Sequence, residues 1–232
     1  KLTQLKSFEC FAMGLSSLDD SFTNLRNLET LVLAANNFNE IPRIITPENF
    51  PNPTKLDLAT NRRRTIWDMK TATLDRALWG GFSYNDEDNF PRWLLEWDKL
   101  EYLRLSNNYM QGEIPDMEDY GIRYTAEEVA VNDTLPNGLN NPAGYNLAGK
   151  PKVLPNAKFF AINLNLYTGK IPEWILYHPH LMEWAPEILV FNQDTELTDM
   201  EGRIPGFSNV PENPDYYYEA YPLKKPEYYD QY

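Results

Sequence analysis

The stretch LRNLETLVLAANNFNEIP, residues 25–42, decides how this chain is read. Leucines at 25, 28, 31 and 33 are followed by Asn36, Phe38, Ile41 and Pro42. Written as a template it is L-x-x-L-x-x-L-x-L-x-x-N-x-φ, closing in Ile-Pro. Neither the helical period nor a plain two-residue alternation fits it. It reads as one turn of a coil. A short strand points Leu31 and Leu33 inward, and the asparagine then bends the chain away.

The pattern returns three times. Residues 97–115, WDKLEYLRLSNNYMQGEIP, put Trp97, Leu100, Leu103, Leu105, Asn108, Met110, Ile114 and Pro115 on it. Residues 154–172, LPNAKFFAINLNLYTGKIP, put Leu154, Ala157, Phe160, Ile162, Asn165, Tyr167, Ile171 and Pro172 on it. Residues 50–61, FPNPTKLDLATN, match with Phe50, Pro53, Leu56, Leu58 and Asn61. A period in the twenties with this signature marks leucine-rich repeats, and the chain resembles that family. The endings Gly112-Glu113-Ile114-Pro115 and Gly169-Lys170-Ile171-Pro172 resemble the N-x-φ-x-G-x-I-P subclass, best known from plant receptor ectodomains and also found in bacterial surface proteins. The resemblance covers most of residues 2–205. It implies an α/β repeat fold: a leucine-rich repeat solenoid of roughly six or seven coils, with parallel strands on the concave face and an irregular or short-helix convex side.

A repeat domain over residues 1–211 and a Tyr/Pro-rich tail or cap over 212–232 follow from this reading. Residues 2–22 form a degenerate first coil, with Leu5, Phe8 and Cys10 in leucine slots and Met13 in place of the asparagine. No cap precedes it, so an upstream portion is expected to cover Phe8. From Leu56 to Leu103 is 47 residues, two coil lengths. A degenerate coil is therefore expected near 67–90, with its strand near Ala77–Gly81 and Met69–Leu78 available for a helical turn. From Leu103 to Phe160 is 57 residues, which implies an irregular coil plus an insertion near 116–153, rich in Asn, Pro and Gly. The last coil is 181–205, with a strand around Ile188–Phe191. Seven of the 15 tyrosines then lie between 216 and 232.

The totals narrow the function. The 232 residues carry 21 Lys and Arg against 34 Asp and Glu, a net charge of −13. That argues against nucleic acid and against anionic lipid, both of which select basic surfaces. One cysteine, Cys10, precludes an intramolecular disulfide and occupies a strand slot suited to a small core residue. No apolar run reaches the roughly 18 residues of a membrane span. No signal peptide is visible, although Lys1 is consistent with a processed product. An extracellular, cell-surface or periplasmic location is expected, with the cytoplasm as the alternative.

Side chains alternate along a strand, so the residues between the template leucines face outward. The expected binding positions on the concave face are Thr30, Val32, Lys55, Asp57, Tyr102, Arg104, Phe159 and Ala161. Glu9, Phe11, Ala34, Ala59, Ser106 and Asn163 complete that face. Asn36, Asn61, Asn108 and Asn165 are expected to form a structural column, bonding backbone groups of adjacent coils. No catalytic set is visible: no G-x-S-x-G, no phosphate-cradling glycine loop and no nucleophile with its base. His178 and His180 flank Pro179, which prevents helical metal ligation. The carboxylates at 86–88, 116–119 and 127–128 lack the spacing of a calcium loop. Neither metal nor cofactor is expected. Trp93 and Trp174 occupy one template slot, which suits packing, and Trp67, Trp79, Trp97 and Trp184 are expected to be partly buried. The expected function is a non-catalytic protein–protein interaction module binding its partner on the concave face. The alternatives are a surface glycan-binding module and an ectodomain-like receptor fragment.

Overall fold

The structure is a computed structural model describing residues 2–38, 40–61, 90–108, 110–129, 147–162, 165–168, 172–176, 178–181 and 183–184. Its organising element is a five-stranded parallel sheet. The strands are β1 (Ser7–Glu9), β2 (Thr30–Val32), β3 (Lys55–Asp57), β4 (Tyr102–Arg104) and, after β5 (Gln111–Glu113), β6 (Phe159–Ala161). The order is β1-β2-β3-β4-β6. In register, Phe8, Leu31, Leu56, Leu103 and Phe160 stand side by side. That is the alignment expected from the spacing of the leucines.

Each strand is short because only two template positions point inward before the asparagine turns the chain. Leu31, Leu33, Leu56, Leu58, Leu103, Leu105, Phe160 and Ile162 are fully buried in one continuous core. Transfer of such side chains from water contributes about 1.5–3 kcal/mol each and is the main force holding neighbouring repeats together. The residue before the asparagine takes the left-handed conformation in three repeats: Ala35 at φ 58°, Thr60 at 60° and Asn107 at 59°. Ala12, before Met13, does the same at 56°. The bend therefore persists where the asparagine has been lost.

The asparagine column is a continuous ladder. Asn36 Oδ1 accepts from the N–H groups of Met13 at 3.0 Å and Leu15 at 3.1 Å, in the preceding repeat. Asn61 Oδ1 accepts from Asn36 N–H at 3.1 Å, Asn108 Oδ1 from Asn61 N–H at 2.7 Å, and Asn165 Oδ1 from Asn108 N–H at 3.0 Å. Each amide also donates backwards and to its own turn. Asn61 Nδ2 reaches Leu33 O at 2.9 Å and Leu58 O at 2.8 Å, and Asn165 Nδ2 reaches Leu105 O at 3.1 Å and Ile162 O at 2.7 Å. All four asparagines are buried, so these bonds serve groups that water does not reach.

A second ladder runs ahead of the strands and was not expected. Four positions before each strand centre, Asn27, Asn52, Lys99 and Asn156 donate to the carbonyls of Thr3, Arg26, Pro51 and Asp98, each in the preceding repeat, at 2.7–2.9 Å. Both ends of every strand are thus tied to the neighbour.

β3 pairs directly with β4, and β4 directly with β6. The sheet therefore passes from Leu56 to Leu103 and from Leu103 to Phe160 with no strand between them. Residues 67–89 of the expected degenerate coil fall outside the described residues. Spacing counts residues, not routes, and the extra chain in both intervals leaves the sheet order untouched. The expected strand at 77–81, the helical turn at 69–78, the tryptophans at 67 and 79 and the carboxylates at 86–88 fall outside the described residues. So do the strand at 188–191 and the tail at 212–232.

On the other side of the repeats, β5 pairs in parallel with β7 (Leu166–Thr168) as a second, two-stranded sheet. An irregular or short-helix return was expected there. Two short helices, α1 (Arg92–Leu95) and α2 (Glu173–Leu176), follow Pro91 and Pro172. Proline suits a helix start, since the first N–H groups have no helical partner. Trp93 and Trp174 fill one slot in these helices. Their indole N–H groups donate to Ile45 O at 3.1 Å and Pro115 O at 2.9 Å, again in preceding repeats. Trp97 and Trp184 are fully buried, more than expected.

The neck of the 116–153 segment is held closed. Arg123 bridges antiparallel to Pro151, and Tyr124, Val129 and Leu147 form a small cluster of their own. Arg92 bonds Asp119, holding its carboxyl below the usual range, and so ties α1 to this neck.

Candidate protein-binding face

The side of the five-stranded sheet that was expected to be concave carries the outward positions of the repeats. Adjacent strands lie about 4.8 Å apart, so side chains in register stack upon each other. Tyr102 and Phe159 are such a pair, with ring centroids 4.2 Å apart and planes 5° from parallel. On the other flank of Tyr102, Lys55 sets its ammonium 5.2 Å from the ring centroid. Lys55, Tyr102 and Phe159 are half-buried and form a row across three strands, with Thr30 continuing it on β2.

The next row differs from the expected one. Val32, Asp57 and Ala161 were expected to be available to a partner, yet they are 8%, 7% and 0% exposed. Their strand positions put them on the expected side of the sheet, but they are buried there. Val32, Ala34 and Ala59 form a small apolar cluster separate from the main core. Ser106 is also buried on this face. Arg104 stands out of this low floor, its side chain 43% exposed, with Nη1 at 3.8 Å from Asp57 Oδ2. Asp57 Oδ1 accepts from Ala59 N–H at 3.1 Å.

Five of the expected residues therefore come together: Lys55, Asp57, Tyr102, Arg104 and Phe159. Thr30 and Val32 lie on the next strand, and Ala161 provides floor beside Arg104. The small floor residues Ala34, Ala59 and Ser106 were counted as part of the outward face; the template shows which way a residue points and not what overhangs it.

His178 belongs to the interior. Burial pushes its pKa down to about 3, so the imidazole is neutral. Nε2 lies 3.0 Å from Val153 O, and Nδ1 accepts from His180 N–H at 3.0 Å. A carbonyl can only accept, which puts the proton on Nε2. The ring lies against Trp184, centroids 3.8 Å apart, and His180 turns away to Glu183 at 2.7 Å. Both nitrogens of His178 are engaged, which leaves no lone pair for a metal. Among the described residues no group of three or more His, Cys, Asp or Glu side chains could hold a metal ion, and no helix is long and apolar enough to cross a membrane.

No curated protein matches the chain in sequence. Residues 99–117, which run from Lys99 through β4 and β5 to Met117, match the family model described as Leucine Rich Repeat. That segment is a leucine-rich repeat, one of the set that builds the parallel sheet.

Proposed function

We propose that the chain is a non-catalytic protein-interaction module that binds its partner on the concave face of the sheet. Leucine-rich repeats generally mediate protein–protein interaction and are generally not catalytic. The observation that carries the reading is the row Lys55–Tyr102–Phe159 with Arg104 beside it. Tyrosine and arginine dominate the energetics of protein interfaces, because each combines large contact area with donors. Here they project from rigid strands over a floor of small residues.

The reading includes the finer architecture, a solenoid of the N-x-φ-x-G-x-I-P kind with the second strand pair on its outer side. It also includes a location outside the cytoplasm, at a cell surface, with a bacterial source favoured. A lone Cys10, half-buried against the core, is compatible with that location.

The test selects peptides from a random display library on the immobilised chain and re-measures each binder against the double variant Tyr102→Ala/Phe159→Ala. Binding is expected to be lost while the melting temperature stays within a few degrees. Binders indifferent to that double variant would count against the concave face. A glycan array with strong signal, lost on Trp93→Ala and untouched by Tyr102→Ala, would favour the glycan-binding alternative.

A further inference from the structure

Arg104 stands on β4, the fourth of the five strands, and its hydrogen bonding is incomplete. Its nearest carboxylate, Asp57, is at 3.8 Å, an ion-pair distance longer than a hydrogen bond. Nε of Arg104 is buried and donates to no acceptor. Leaving a buried donor of a charged group unmade is costly, and native structures rarely do it without a reason. The rest of the guanidinium reaches the surface, in line with the Tyr102–Phe159 stack.

The charges around it are locally inverted with respect to the whole. The chain carries a net −13, yet among the described residues the strands here set Lys55 and Arg104 against Asp57. Asp57 is 10% exposed in its side chain and already receives Ala59 N–H, so little of it faces a ligand. Glu9 is on β1, with β2 between it and Asp57. What the surface offers is a planar fork of donors, an ammonium and the outer edges of two stacked rings. A guanidinium fork matches a carboxylate in a way that a neutral amide cannot reproduce.

We propose that the concave face recognises an acidic side chain of an extended partner segment, with its carboxylate on the Nε–Nη edge of Arg104. A change of the Arg104 rotamer that brings this edge outward gives Nε the acceptor it lacks. Tyr102 and Arg104 are two residues apart on β4, so they are spaced like positions i and i+2 of an extended peptide. The partner motif is therefore an Asp or Glu two residues from an aromatic or large aliphatic residue, the latter lying on the Tyr102–Phe159 platform. This inference rests on the proposed function and supplies the chemistry of its partner.

The test uses the whole chain and short peptides, acetylated and amidated so that no terminal charge competes. Three sets carry Glu-x-Phe, Gln-x-Phe or Lys-x-Phe, each in both orders. Binding is followed by titration of the Arg104 Nε–Hε resonance in labelled protein. The Glu peptides are expected to bind roughly tenfold or more tightly than the Gln peptides, and to weaken as salt is raised. Arg104→Gln should abolish that preference, while Arg26→Gln, at an exposed arginine outside the strands, should keep it. Equal binding of Glu and Gln peptides, a preference for Lys, or no shift of the Arg104 resonance would each overturn the proposal. Peptides that lack an acidic residue but still need Tyr102 and Phe159 would overturn it too, while leaving the proposed function standing.

Discussion

Replacing Asn61 by alanine removes the middle rung of the asparagine ladder, and the structure allows the loss to be worked out bond by bond. Asn61 Oδ1 is the acceptor for Asn36 N–H, and Nδ2 donates to Leu33 O and Leu58 O. The two carbonyls are each served twice. Leu33 O also accepts from Asn36 Nδ2 at 2.9 Å, and Leu58 O from Asn108 Nδ2 at 3.1 Å. Only Asn36 N–H is then left wholly unpaired in a buried position, at about 1–3 kcal/mol. The two lost donor bonds add about 0.5–1.5 kcal/mol each. The expected destabilisation is about 4 kcal/mol, measured by urea unfolding monitored through tryptophan fluorescence. Asn61→Asp sharpens the test. Its carboxylate keeps the acceptor for Asn36 N–H but faces two carbonyl oxygens, so it should be worse than alanine at pH 7. It should recover as the pH falls and the acid regains a proton to donate. A loss of under about 1 kcal/mol for Asn61→Ala, or an Asn61→Asp variant indifferent to pH, would refute the ladder as a source of stability.

Two further outcomes follow from single residues. Thr60 holds φ at 60°, where its branched Cβ is strained, and its hydroxyl has only a 3.4 Å contact from Asn107 Nδ2 to lose. Thr60→Gly is expected to stabilise by roughly 0.5–1 kcal/mol in the same unfolding assay, with destabilisation counting against the strain. His178 supplies a pH dependence. Its folded pKa, about 3, is below the unfolded value near 6.5, so the unfolded chain binds more protons between those limits. Its contribution is intact above about pH 6.5 and is lost as pH falls towards 3, at up to about 1.4 kcal/mol per unit, or roughly 2 kcal/mol by pH 5. Wild type minus His178→Gln should show that slope in unfolding free energy over pH 4.5–7; parallel curves would refute it.

The local periodicity carried far. Leu31, Leu56, Leu103 and Phe160, which fill one template slot, share one register across the sheet, and the asparagines form the expected column. Both depend on the geometry of one coil, which short-range spacing encodes, because a side chain two residues along a strand returns to the same face. Residues 27, 52 and 156 also repeated an asparagine at a fixed offset before β2, β3 and β6, and that signal could have revealed the second ladder. The cluster of Lys55, Tyr102, Arg104 and Phe159 was within reach of the same argument.

Other features depend on contacts between residues far apart in the chain. Spacing could not show that β3 meets β4 across 47 residues, or β4 meets β6 across 57, since pairing depends on which edge is free when the chain returns. The same holds for the β5–β7 sheet, whose strands meet only because their repeats are already stacked. The burial of Val32, Asp57 and Ala161 likewise depends on what packs over them and not on their own strand positions. Repetition along the backbone shapes each turn of this protein, but which turns touch, and which outward side chains remain within a partner's reach, is settled by packing at long range.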